Sequence, residues 1–253
     1  MRSRPFRLWL AGLLMLVLLA PLALSAQRGF RGFRGFRGDS IFPNVPYDGR
    51  FTFARIRYLG RNSWDADYPL MERNLTTLLD SLTAIRPHMD ASNVHTFDDP
   101  ELMKYPVAYL TEPGYWVPTD EESEGLRRYL AKGGFLIVDD FPRQAWGNFE
   151  VQMARAFPHG QWIELTPDHP IFHSFFEINS FDTMPPAYDL GGRPMFLALF
   201  EDNDPTKRML AIANYQNDLS EYWEFSETGY YITQYANEAY KYGINHFIYG
   251  LTH

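Results

Sequence analysis

Residues 126–141, LRRYLAKGGFLIVDDF, constrain the fold more than any other stretch of the chain. A helix presenting Leu126, Tyr129 and Leu130 stops at Gly133-Gly134, and the apolar run 135–138 follows and passes into Asp139. A strand apolar on both faces of its pleat must be covered on both faces, as in a parallel α/β sheet. It ends in two adjacent carboxylates, Asp139 and Asp140, where an open α/β sheet usually places its ligand site.

The rest of residues 51–253 alternates in the same way. Residues 51–58 (FTFARIRY) read as a first strand. Apolar residues at helical spacing from Met71 to Ile85 predict an amphipathic helix over 69–86, bounded by Pro69 and Pro87. Residues 94–97 and 107–111 read as strands. Thr119 with Glu122 forms a capping-box pattern that opens the helix before Phe135. A helix carrying Phe149, Met153, Ala156 and Phe157 follows. Strands 195–200 and 209–215 flank the polar turn Asp202-Asn203-Asp204-Pro205, and a closing helix runs from Ile232 past Phe247. Strands alternating with helices predict a mainly parallel sheet flanked by helices.

Ahead of this body lie two segments of different character. Arg2, Arg4 and Arg7 precede an apolar run over 8–20, then Pro21 and Ser25-Ala26, the three-part pattern of a signal peptide over residues 1–26. An uncleaved membrane anchor is the rival reading. Residues 27–50 read as a flexible linker containing three Arg-Gly-Phe repeats and a final Arg-Gly. The tract is either a solvated spacer or a weak hold on anionic surfaces, so membrane contact is expected only through it or an uncleaved leader. The destination expected is the periplasm or cell envelope. There is no cysteine, so neither disulfides nor a lipid-bearing cysteine can form.

The chain carries 23 basic and 31 acidic residues. Three of the basic ones sit in the leader and four in the repeats, so 16 face all 31 acids from Asp39 onward. So acidic a body excludes duplex nucleic acid as a partner, because that affinity comes from Lys and Arg on phosphates.

The order of landmarks resembles one family. FARIRY is followed by Trp64-Asp65-Ala66-Asp67-Tyr68, Tyr105-Pro106 before a strand, and LRRYLAKGGFLIVDDF. Asp168-His169-Pro170-Ile171-Phe172 and LAIANYQNDLSEYWEF complete the series. The chain is similar over 51–253 to the family called domain of unknown function 4159. That resemblance implies a class I glutamine-amidotransferase-like three-layer sandwich of flavodoxin type, and company with envelope or membrane proteins, but no established activity. The chain departs from the usual pattern at Gln216-Asn217-Asp218, where a Pro-containing turn is common. Active amidotransferases deliver a cysteine thiolate from the strand comparable to 135–138. Here the strand delivers Asp139, and without cysteine that route to glutamine hydrolysis is closed.

Candidate ligand-binding residues are Asp139, Asp140, Trp64, Asp65, Asp168, His169, Asn214 and Asp218. Asp139 and Asp140 with Asp168, His169 and His173 could form an oxygen- and nitrogen-rich metal site. Against that, Asp168 to Pro170 is a natural turn, and Asp139 could instead accept helix amides. Asp67 fits the N-cap of the helix after Pro69, and Trp64 beside carboxylates also suits a sugar. Segment 214–224 is either a binding loop or a polar loop with Trp223 in the core. No G-x-S-x-G elbow serves Ser174, Ser180 or Ser226. The expectation is a non-catalytic binding or assembly domain needing no cofactor, with an envelope protein or glycan as partner. The alternative is a carboxylate- or metal-dependent hydrolase of a glycan or peptide.

Overall fold

The computed structural model describes residues 43–59, 63–89, 92–185 and 192–253. The leader and the Arg-Gly-Phe repeats lie outside the described residues. Seven strands form one sheet in the order β2-β1-β3-β4-β7-β6-β5. They are β1 (Phe53–Ile56), β2 (Ser92–His95), β3 (Val107–Thr111), β4 (Phe135–Phe141), β5 (Trp162–Glu164), β6 (Met195–Phe200) and β7 (Met209–Tyr215). The first five in spatial order are parallel, while β6 runs antiparallel to β7 and to β5. The helices are α1 (Leu70–Leu82), α2 (Asp120–Ala131), α3 (Trp146–Ala156), α4 (Leu219–Glu224) and α5 (Thr233–Thr252).

Alternation along each strand divides the core in two. Phe53, Tyr109, Ile137 and Ile212 pack with Leu75 and Leu79 of α1, Trp223 of α4 and Phe247 of α5. Ala54, Leu110, Leu136 and Ala213 pack with Leu126 and Leu130 of α2 and with Phe149 and Met153 of α3. Burying each large apolar side chain contributes roughly 1.5–3 kcal/mol, so a strand fed to both faces is worth twice a one-sided one. At Gly243 a Cβ would sit 2.3 Å from Cζ2 of Trp223, so the α5–α4 seam needs a residue without one.

Several expected elements stand where the sequence places them. β3 has the expected bounds, and Thr119 and Glu122 form the capping box, Oγ1 accepting at 3.1 Å and Oε2 accepting at 2.7 Å. Others shift. α1 ends at Leu82 rather than Arg86, with Thr83 as its C-cap in an extended conformation. β2 covers Ser92–His95 rather than 94–97, because its parallel pairing with β1 runs from Phe53↔Ser92 to Ile56↔His95. β4 continues through both aspartates to Phe141. Short β5 has no alternating pattern and was not expected.

Among the described strands the chain reverses direction twice, once around β1 and again after reaching β5 at the far edge. From β1 the chain moves outward to β2, then returns to place β3 on the other side of β1. The loops leaving β1 and β3 at their carboxyl ends therefore diverge, and such a switch point is where open α/β sheets hold ligands.

Candidate functional site: an acidic cluster at the carboxyl edge

Asp139 and Asp140 are neighbours with different surroundings. On β7, Ala213 pairs with Val138 and Tyr215 with Phe141, so the two aspartates stand opposite Asn214 alone. That two-against-one bulge bends the strand, and Asp140 sits in the left-handed region at φ 61°. Asp139 accepts from the Tyr109 hydroxyl at 2.6 Å, Asn214 Nδ2 at 2.9 Å and the Ser220 amide at 2.8 Å. Burial raises its pKa and these bonds hold it back. It thus accepts helix amides, as one reading allowed, but those of α4 rather than of the helix following its own strand.

Asp140, only 3% exposed, has no partner for Oδ1. Burial first, then the charges of Glu112, Asp67 and Asp139, push its pKa well above the usual carboxylate range. Asp218 is pushed well up by burial and then by Asp140. Its Oδ1 accepts from the Ser220 hydroxyl and the Glu221 amide, both at 2.9 Å, capping α4.

Asp67 joins them. It does not cap α1 as expected: Pro69 holds the N-cap position without a side-chain cap, and Asp67 lies at φ 61°. Its Oδ2 is buried without a partner, and the side chains of Ser220 and Glu224 reach it. What fixes this loop is Arg55 in the middle of β1. Fully buried, its guanidinium pairs with Glu72 of α1 and donates to the carbonyls of Trp64 and Ala66 at 2.7 and 2.8 Å. A Tyr58 hydroxyl bonded to the Glu112 carbonyl at 3.0 Å ties the loop after β1 to the end of β3.

Glu112, Glu221 and Glu224 complete the acidic set. Burial and then Asp67 raise Glu112 to about 7. Glu224 is raised to about 8 by burial, then by Asp67. Glu221 is raised by the same two causes, opposed by the Tyr231 hydroxyl bonded to it at 2.9 Å. Carboxylate oxygens of Asp67, Asp140 and Asp218 lie within 4.8 Å of one another, as do those of Asp67, Glu221 and Glu224. Of six described non-glycine residues with positive φ, Asp67, Glu112, Asp140 and Gln216 all lie at this edge of the sheet. Strained backbone of this kind concentrates at functional sites.

Other candidates fall elsewhere. Trp64 is 8% exposed and packed in the core, so it offers no platform to a sugar. Asp65 is half-buried in the loop it shares with Asp67. Asn214 is fully buried beneath Asp139. Trp223 is fully buried, the core anchor that one reading of segment 214–224 required.

Asp168 and His169 do not meet Asp139 and Asp140. His169 packs against Phe200, which pairs with Met209 at the start of β7, and against Tyr249, which packs on Phe135 at the start of β4. That is the opposite edge of the sheet. There His169 Nδ1 accepts from the Ile171 amide at 3.2 Å, and Asp168 is exposed. His173 pairs with Glu177 at 2.6 Å.

Sequence reasoning missed Arg55, Glu112, Glu221 and Glu224 as members of the site. Arg55 carried a usable signal, since an arginine between Ala54 and Ile56 in a strand covered on both faces needs a buried acid.

A family model described as domain of unknown function (DUF4159) matches residues 52–251. The chain belongs to this family. A search of the curated proteins finds no match. Within the DUF4159 domain, four of the landmark segments meet at the acidic cluster: FARIRY, WDADY, IVDDF and NDLSEYWE. The Asp-His-Pro-Ile-Phe segment and Tyr105-Pro106, which leads into β3, lie at the opposite edge.

Proposed function

We propose that this DUF4159 domain is an exported, non-catalytic binding domain of the cell envelope that takes a positively charged ligand at the acidic cluster. One observation carries the reading: carboxylates of Asp67, Asp140, Asp218, Glu221 and Glu224 converge, while the arginine beside them is already engaged by Glu72. Enclosed carboxylates repel one another and stay protonated unless a cation offsets them. An envelope protein would offer a lysine or arginine side chain, and a glycan would enter through a bound cation.

The scaffold reading is an amidotransferase-like fold stripped of its nucleophile. Two features support it: the strand order β2-β1-β3-β4, and the left-handed backbone of Asp140 at a sharp turn of the strand that in active relatives of that fold delivers cysteine. Export rests on the basic and apolar pattern of the first 26 residues. Edman sequencing of protein from an envelope fraction should begin near Gln27, and a retained Met1 would overturn cleavage. No helix among the described residues is long and apolar enough to cross a membrane.

The test of the cluster is a melt of chelator-treated protein with Mg²⁺, Ca²⁺, Mn²⁺ or spermidine. A cation that binds only the folded state raises the melting temperature by mass action. The expected result is a rise with at least one of these, lost in Asp140→Asn; no response to any of them sinks the reading. A hydrolase reading has one observation in its favour. Asp67 belongs to both carboxylate triads, the position of a ligand bridging two metal ions.

A further inference from the structure

Resting on the cluster as a cation site, we propose that Asp67, Asp140 and Asp218 together bind one hard divalent cation, Ca²⁺, Mg²⁺ or Mn²⁺. The three carboxylates come from the loop after β1, from the bulge of β4 and from the N-cap of α4, and each offers an oxygen within 4.8 Å of the other two. Oxygens ligating one Ca²⁺ or Mg²⁺ stand about 2.0–2.6 Å from it, so ligand oxygens up to about 4–5 Å apart share one ion.

Proximity of acids alone would not make a site. The decisive feature is that Asp140 is almost wholly buried with Oδ1 unpartnered, while the buried Oδ2 of Asp67 is unpartnered as well. Leaving a buried oxygen without a partner costs about 1–3 kcal/mol, more when it is charged. Asp139, one residue away, shows what this fold does with a structural carboxylate: it surrounds it with donors. Asp140 has been turned by the bulge toward other carboxylates instead. A cation between them satisfies all three at once, and a water does not.

The donor set also selects the metal. Among the described residues, the groups able to hold an ion contain carboxylates and no imidazole, and the chain has no thiol. Oxygen-only sites suit Mg²⁺, Ca²⁺ and Mn²⁺, whereas Zn²⁺ and Cu²⁺ favour nitrogen and sulfur. The second triad is half-exposed, and Glu221 is already bonded to Tyr231. It is the more exposed of the two groups and not the primary site.

Isothermal titration of the chelator-treated full chain with CaCl₂, MgCl₂ and MnCl₂ tests the assignment. One equivalent is expected for at least one metal, with affinity falling tenfold or more in Asp140→Asn and changing under threefold in Asp168→Asn at the opposite edge of the sheet. Tb³⁺ luminescence sensitised by the neighbouring Tyr and Trp side chains gives a readout on the unmutated protein, so the test stands even if a variant misfolds. A second equivalent lost in Glu221→Gln would support the inner site and add an outer one. Unchanged affinity in Asp140→Asn overturns the assignment. Absence of any metal binding also overturns it; a melt still raised by spermidine would then leave the cationic-ligand reading intact, and no response to spermidine would remove both.

Discussion

The two edges of the parallel strands are built from similar residues and finished in opposite ways. At the amino edge Arg208 and His169 are used to close the ends of elements. Arg208 donates to the carbonyls of Gly134 and Leu130 at the end of α2, and His169 caps the turn that follows it. Gly133 takes the left-handed position that ends α2 at φ 113°, where a glycine is strain-free. At the carboxyl edge the left-handed positions are filled by Asp67, Glu112, Asp140 and Gln216, and oxygens of Asp67, Asp140 and Gln216 are left over. One edge is spent on folding and the other is held in reserve. The difference separates polar groups that terminate a fold from those left without a partner.

The largest effect should come from Arg55→Met. Removing one partner of a buried ion pair typically costs about 3–5 kcal/mol, here leaving Glu72 and Asp67 uncompensated. Arg208→Ala at the other edge should cost about 1–2 kcal/mol, since its hydrogen bonds are to carbonyls near solvent. Urea unfolding of both variants checks the ranking, and equal losses would erase the contrast.

Next in size are the adjacent aspartates. Asp139→Asn places an NH₂ among groups that donate, and should cost about 1–3 kcal/mol. Asp140→Asn removes a charge repelled by Glu112, Asp67 and Asp139, and should raise the metal-free melting temperature at pH 8 by about 2–4 °C. Opposite signs at consecutive positions are the expected outcome, and shifts of the same sign would break the distinction between structural and reserved carboxylates.

How far the sequence reached follows the same division. Elements fixed by local rules were legible, such as β3 by its apolar run and α2 by its capping box. Trp223 could be assigned to the core or to a loop, and it lies in the core. Asp67 misled because an acid before a helix fits the capping rule, and only its backbone turn sends it elsewhere. Glu112, Glu221 and Glu224 each look like a solvated loop acid. Strand order alone brings them together, and no local pattern encodes strand order. Asp168 with His169 shows the converse, a site-like sequence that closes a turn.

Stability against pH gives the third contrast. Glu112 and Glu224 have folded values of about 7 and about 8, above the ordinary 4.5. Acids raised on folding favour the folded state when protonated, so that stability is full below about pH 4.5 and is lost as pH rises through about 8. Melts of metal-free protein from pH 5 to 9 should fall steadily, and a bound divalent cation should flatten the curve. The smallest effect belongs to Asp168→Asn, exposed at the amino edge, which should stay within about 0.5 kcal/mol and leave the cation response unchanged.

Asn74 of α1 donates to the Trp223 carbonyl of α4 at 2.8 Å, across 149 residues of chain. The inner triad spans nearly the same separation, from Asp67 to Asp218. A cation held there would work as a removable crosslink between distant parts of the chain, stabilising the folded state by mass action instead of restricting the unfolded one as a disulfide does. For a chain without cysteine, the durability of the fold would then follow the free divalent-cation concentration around it rather than its redox conditions.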